Sequence, residues 1–286
     1  MNALKPERRR MKVTLSEPKQ PLRVCCGSYF CMTTEDKTVP LPKMTKYLNA
    51  ATFGMLLLAD AVLPTWATTS NRQEEVFQGV ARDERGEIAY TEEHRMIYQD
   101  GRPQRNETRY RDAQGQEIAV LNSNFTTHPY VPSYSFEDRR FGRQDGTFVD
   151  GAWVKIYGRA DQNAPVQQER VRLEENMVTG QGLHLYLRDH MEQLSKSDDI
   201  QQVRFLVPLE GRDFMFRIRR LDTASEPGTV GLNIEADSWL LRLVAPKLEV
   251  RYDRETRRLL SYRGASNLLN ADQDVQNVTI TYRYPN

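Results

Sequence analysis

Between Val76 and Tyr284 apolar and polar residues alternate in short segments, and turn residues separate one segment from the next. Alternation with a period of 2 marks a strand that buries one face, so the pattern predicts a run of antiparallel strands. Asp83-Glu84-Arg85-Gly86 ends a first strand, and 87–99 is a second. Asp100-Gly101 turns into 104–112, and Ala113-Gln114-Gly115-Gln116 turns into 117–125. Glycine at such tips accepts the positive φ of tight hairpin turns, which makes this part a meander. Residues 126–151 look looser, with Pro129, Pro132 and two Asp/Gly turns. They predict a long loop, with 134–141 as an edge strand or extended piece. Strands return at 152–159 and 168–174.

The main helix signal spans 182–194, where Leu183, Leu187, Met191 and Leu194 form one apolar stripe at offsets of 4, 4 and 3. Cleaner alternation follows in Val203/Phe205/Val207, Phe214/Phe216/Ile218 and Val230/Leu232/Ile234/Ala236. Residues 238–244 predict one or two helical turns ending before Pro246. A hairpin over 248–263 and a last strand from Val278 to Tyr284 complete the pattern.

Roughly ten or more strands and one good helix cannot form a flat two-layer domain. Ten strands spaced about 4.8 Å apart make a sheet about 48 Å wide, whereas a helix of about 13 residues is about 20 Å long and 10 Å across. The expected fold is therefore mainly β (α+β): a curled antiparallel sheet forming a half-barrel or barrel, with the main helix covering the concave side.

The stretch 44–69 breaks the alternation. Lys43 and Lys46 precede an apolar run over 50–63 interrupted by Asp60, and Thr65-Trp66-Ala67 follows. This is the arrangement of a Sec-type signal peptide with cleavage after Ala67. Asp60 and Pro64 interrupt the run short of the roughly 20 apolar residues of a membrane span. Residues 1–43 hold Arg8, Arg9, Arg10 and all three cysteines without sustained periodicity. They predict a non-native or disordered extension, with the true start at Met32 or Met44. The expected organisation is 1–43 extension, 44–67 signal peptide, 68–75 polar lead-in and 76–286 a single β-rich domain, placed in the periplasm or secreted.

Removing 1–67 takes away 10 of 40 Lys+Arg but only 5 of 39 Asp+Glu, so the expected mature chain is mildly acidic. That balance gives no global attraction to nucleic acid or to an anionic membrane. With Cys25, Cys26 and Cys31 upstream of the cleavage point, the mature chain has no disulfide framework, thiolate metal site or cysteine nucleophile.

No catalytic constellation stands out. The histidines are His94, His128, His184 and His190, and the last two lie six apart, not at the i, i+4 spacing of a zinc-binding helix face. Gly180-Gln181-Gly182 lacks the third glycine of a dinucleotide fingerprint. Asn270, Asp272 and Asp274 open like a calcium loop, but Val275 replaces the required glycine. Gly264-Ala265-Ser266-Asn267-Leu268 misses the last glycine of a nucleophile elbow. No catalytic residue, metal or cofactor is assigned. The apolar residues Trp153, Tyr157, Phe205, Phe214, Phe216, Trp239, Leu240 and Leu243 remain, either as core or as the lining of a concave pocket at a barrel mouth.

The signal peptide, the meander, the helix over 182–194 and the closing run LEVRYDRETRRLLSYRGASN together resemble the LolA/LolB-type half-barrel of periplasmic lipid and lipoprotein carriers. The closing run is also similar to that of uncharacterised secreted bacterial proteins. The resemblance implies an incomplete antiparallel barrel that accepts acyl chains. The absent cysteine after the signal excludes the anchored member of the pair. The expected function is non-enzymatic binding of a lipid, acyl chain or other hydrophobic ligand, with no integral membrane span once the signal is removed. The alternatives are a small cell-envelope hydrolase, with a histidine beside an acid in a cleft, or a module that binds an envelope protein through the strand edge near 134–141.

Overall fold

The computed structural model describes residues 71–196, 200–221, 227–238, 242 and 247–285. The expected extension and signal peptide, and nearly all of the expected turns over 238–244, lie outside the described residues.

Among the described residues there are fifteen strands, of which the first nine are β1 Arg72–Arg82, β2 Ile88–Gln99, β3 Arg102–Arg111, β4 Glu117–Asn124, β5 Ser133–Asp138, β6 Arg143–Asp150, β7 Trp153–Arg159, β8 Gln167–Arg172 and β9 Met177–Val178. Two helices come next, α1 Gly182–Asp189 and α2 Met191–Lys196. Strands β10 Gln201–Val207, β11 Arg212–Arg220, β12 Thr229–Ala236, β13 Leu248–Asp253, β14 Leu259–Leu269 and β15 Val275–Arg283 complete the chain, with a 3-10 turn at Pro208–Glu210. All fifteen belong to one sheet, ordered β8-β7-β6-β5-β4-β3-β2-β1-β15-β14-β13-β12-β11-β10-β9. Every neighbouring pair is antiparallel except β9 and β10.

This order requires a rolled sheet. Fourteen inter-strand gaps of about 4.8 Å would put the two edges about 67 Å apart if the sheet were flat. The edges, β8 and β9, are joined by residues 173–176, which can span only about 17 Å. The ends of the sheet therefore come together, but they overlap instead of pairing. On β10, Val203 and Phe205 lie opposite Phe216 and Phe214, so they share one face, while Leu206 points to the other. Val203 packs with Leu187, Met191 and Leu194 of the helices. Leu206, fully buried, packs with Val149, Val154 and Ile156 of β6 and β7. Strand β9 repeats the arrangement, with Met177 toward β6–β7 and Val178 toward the helices. The β9–β10 end is thus tucked inside the β6–β7 end.

The helices fill the concave side, as the width argument requires. The expected helix over 182–194 is broken at His190, whose φ of −98° and ψ of 8° leave the helical range. Its N–H still bonds Tyr186 O at 3.0 Å. Leu185 and Leu187 stand about 200° apart around α1, yet both are buried, Leu185 against Met96 and Phe125 and Leu187 in the β10–β13 cluster. A helix buried on opposite faces lies inside its sheet rather than on it.

Two expectations over 126–151 are corrected. Residues 143–150 form β6 rather than loop, and β5, expected as an edge, pairs on both sides, with β4 and β6. Asp145-Gly146 reads as a turn in sequence. Gly146 is in fact a mid-strand residue, because Tyr157 lies over it so closely that a Cβ there would sit 2.5 Å from the phenolic oxygen. The strand-edge interaction site expected near 134–141 is therefore not an edge; the edges are β8 and β9.

Candidate functional site

The inward faces of β1, β2, β3, β13, β14 and β15 meet α1 across a cavity of about 170 Å³. Its apolar wall is made by residues such as Phe77, Met96, Leu183, Leu187, Val250 and Leu259. His94, Asn106, Gln181 and His184 supply polar groups. A larger hollow of about 700 Å³ lies among turn and rim residues including Arg82, Asp83, Glu84 and Arg263. Mixed charge of that kind suits solvent better than an apolar guest, so the inner cavity is the candidate site.

One side of the cavity is a chain of buried hydrogen bonds. Glu92 and His94 are two apart on β2 and so point inward together. Glu92 Oε2 lies 2.9 Å from His94 Nε2 and accepts from the Tyr282 hydroxyl at 3.1 Å. His94 Nδ1 is 3.0 Å from Thr108 Oγ1. Thr108 Oγ1 accepts from Gln181 Nε2 at 2.9 Å and from Asn106 Nδ2 at 3.3 Å. Gln181 Oε1 in turn accepts from Ser123 at 2.8 Å. Phe77 stacks on the His94 ring at 4.4 Å, nearly parallel. The chain ties β2, β3 and β4 to the start of α1, and it leaves one atom without a partner: Asn106 Oδ1 is buried and accepts nothing.

Acid, imidazole and hydroxyl in this order resemble an activated nucleophile. The expected sign of a hydrolase, a histidine within reach of an acid, is thus met by His94 and Glu92. Thr108, however, is fully buried. A hydroxyl has one proton and two lone pairs. The amides of Gln181 and Asn106 take the lone pairs, leaving the proton for His94 Nδ1. Fully buried and not among the residues that line the cavity, Thr108 is out of reach of a substrate, and in this arrangement the triad serves as a positioning network.

On the opposite wall, His184 Nδ1 is 3.0 Å from the Tyr252 hydroxyl. Burial above all, with Arg188 and His94 adding repulsion, pushes the His184 imidazole down to about 3. Burial raises the Tyr252 phenol, so it keeps its proton. With a neutral ring and a protonated phenol, His184 Nδ1 and the Tyr252 hydroxyl share one hydrogen bond in which either group can be the donor. The other histidines are structural. His128 Nδ1 accepts the N–H groups of Tyr130 and Val131, and His190 Nδ1 reaches Tyr186 O while its ring stacks on Tyr186.

The depressed His184 predicts a pH dependence of stability. The unfolded imidazole gains a proton near 6.5 and the folded one only near 3, so between those values the unfolded chain binds more protons. The contribution is complete above pH 6.5 and is lost as pH falls through this window, with a slope up to about 1.4 kcal/mol per pH unit. Urea midpoints at pH 7.5 and pH 5 should therefore differ more in the wild type than in His184→Gln. Equal differences would show that the folded ring titrates normally.

The aromatic residues singled out from sequence stand elsewhere. Trp153 and Tyr157 alternate with inward-facing Val154 and Ile156, so they lie on the convex face. Trp153 is exposed, with the Arg170 guanidinium 4.5 Å from its ring centroid. Phe205 and Phe216 point inward but pack beside the helices, their ring centroids 5.7 Å apart. Phe214 stacks under Arg212 at 4.7 Å. None of these five is among the residues that line the inner cavity. Trp239, Leu240 and Leu243 lie outside the described residues. The polar lining residues Asn106 and Gln181 carried no local signal. Glu92 and His94 did: they occupy inward positions of a strand whose other inward residues include Tyr90 and Met96.

Together these features define a barrel-like protein, one curled and unclosed antiparallel sheet rolled around α1 and α2 with a mainly apolar cavity between helix and wall. Among the described residues no helix is long and apolar enough to cross a membrane. No family model matches the sequence, and no curated protein matches it. Among solved structures it is similar to a β-barrel-like protein of the domain of unknown function DUF1849 from Brucella abortus, at 9% identity, covering 74% of this chain and 98% of that one, with a TM-score of 0.36.

Proposed function

We propose that this chain is a non-enzymatic envelope protein that binds an apolar ligand in the cavity between α1 and the inner wall of the sheet. The observation that carries the reading is the cavity itself, a half-open hollow lined mainly by apolar side chains. An apolar cavity of about 150 Å³ holds a guest the size of benzene. The volume here, about 170 Å³, fits one ring or a short length of chain. A full acyl chain of the type carried by LolA-like proteins would have to displace α1. The signal peptide read at 44–67 supports a periplasmic or secreted location. In a compartment without ATP such a binder works by affinity differences alone.

Toluene, a neutral apolar probe, tests the reading. Titrated into the wild type it should bind saturably. In Leu183→Trp, which places an indole in the cavity, binding should weaken at least about tenfold. No saturable binding by the wild type, or equal binding by both proteins, would overturn it. Solvent extraction of natively purified protein would then identify the natural guest.

A further inference from the structure

We propose that the outer face of β6, β7 and β8 docks the protein on an anionic lipid surface, with Phe148 and Trp153 entering the headgroup layer beside a cluster of cations.

At the overlap of the two sheet ends these strands form the outer layer, because Val149, Val154 and Ile156 turn inward onto Leu206. The alternate positions therefore face away from the rest of the described sheet. They set Phe148 opposite Lys155 and Lys155 opposite Arg170, with Trp153 opposite Arg172 in the next row. Phe148 is 56% exposed and Trp153 39%, and a large apolar side chain left in water on an outer face marks a surface that meets something. Lys155 Nζ lies 5.9 Å from the Phe148 ring centroid, and the Arg170 guanidinium lies over Trp153. A hollow of about 450 Å³ is bordered by Phe148, Lys155, Tyr157 and Arg170, and it offers the two cations to a phosphate. Glu169 also borders it but belongs to the opposite face, level with Ile156.

Charge selects the partner. The whole chain carries a net charge of +1. The outward positions of these three strands carry Lys155, Arg159, Arg170 and Arg172 against Asp150 alone, which Lys155 holds at 2.7 Å. Exposed tryptophan and phenylalanine among cations match the edge of a bilayer. There aromatic rings sit at the level of the headgroups, and each lysine or arginine strengthens attachment to an anionic leaflet by about fivefold. The extent of the face argues against a protein partner. Three strands of about seven residues span about 14 Å by 20 Å, roughly 300 Å², whereas a stable protein interface takes about 800 Å² from each side. A nucleic acid would stack its bases on the rings, and a cation of the protein already lies over each of them.

Flotation of the full chain with vesicles of one-third phosphatidylglycerol in phosphatidylcholine tests the docking. The wild type should partition onto them at least about tenfold better than onto pure phosphatidylcholine vesicles, a comparison in which any contribution of the apolar run over 50–63 is common to both. Lys155→Gln/Arg170→Gln should lose about tenfold or more on the anionic vesicles, and Phe148→Ser/Trp153→Ser about fivefold or more. Lys196→Gln/Arg254→Gln, which removes the same charge from α2 and the β13–β14 turn, should lose about twofold at most. Urea midpoints and toluene binding should stay those of the wild type in all three, so the docking face and the cavity stand or fall separately. Equal partition onto the two vesicle types, or equal losses in face and control variants, would overturn the proposal. Binding of a single-stranded oligonucleotide without binding of vesicles would assign the face to another polyanion and overturn it as well. The wild-type comparison decides even where a variant does not fold.

Discussion

Leu206→Ala is expected to lower the stability of the domain by about 2–5 kcal/mol, the range for truncating a buried leucine. The residue alternates with Val203 and Phe205 on β10, so in an open curled sheet it would lie on the outer surface, where such a change costs less than about 0.5 kcal/mol. Here it is fully buried between β10 and the β6–β7 layer. The size of the effect therefore reports the overlap directly. Urea denaturation of Leu206→Ala and of Ile156→Ala, on the facing wall, should show large and mutually dependent losses, since residues in contact are not additive. A change of only a few tenths of a kcal/mol at Leu206 would mean that the two ends of the sheet do not meet.

Gly182→Ala is the second. Gly182 opens α1, and a Cβ there would sit 2.0 Å from Tyr130 O and 2.8 Å from Pro132 Cδ. The obstructing atoms include backbone, held by the hydrogen bond from Thr179 N–H to Tyr130 O. The methyl group can be accommodated only by shifting the start of the helix or the 130–132 segment. Overpacking of this kind costs about 1–3 kcal/mol, and more where backbone is the obstacle. Because Gln181 precedes the glycine and holds Thr108, the same shift should loosen the polar network. The expected result is a lower urea midpoint together with weaker toluene binding. An unchanged midpoint would show that the helix start is free to move.

The positions of the strands were largely legible, and the way the sheet closes was not. Alternation and turn residues located most of β1 to β4 and β10 to β15, although β1 begins at Arg72 and β14 runs on to Leu269; β3, whose inward residues include Asn106 and Thr108, was marked by its turns rather than by an apolar face. Alternation failed at β6, where Asp145 and Thr147 are buried polar residues satisfied by Tyr134, Arg143 and Pro132 O. It failed at β9, where two consecutive buried residues, Met177 and Val178, leave no alternation to see. The helix stripe was right for Leu187, Met191 and Leu194. Burial of Leu185 depends on being wrapped from both sides, which is a property of the whole sheet. The same limit governed the site. Period 2 groups Trp153 with Tyr157, but the sheet decides which group points inward, and here it is Val154 and Ile156. The unpartnered Asn106 Oδ1 results from distances across β3 and α1 that no local pattern encodes.

The pairing of β1 with β15 at the centre of the sheet also shapes how the chain can assemble. Apart from this ladder, every pairing joins strands that are consecutive in the chain, and of the consecutive strands only β8 and β9 do not pair. The molecule is thus two local meanders, β1–β8 and β10–β15, zipped together along a ladder whose partners, such as Gln78 and Arg283, lie at opposite ends of the described chain. Closing that long loop carries the largest entropic penalty and gains nothing until both meanders exist. The joining of the halves is then the late step of folding. Until it occurs, the edges of β1 and β15 expose unpaired backbone groups capable of capturing the same strands of another molecule, so domain swapping is the characteristic hazard of this architecture.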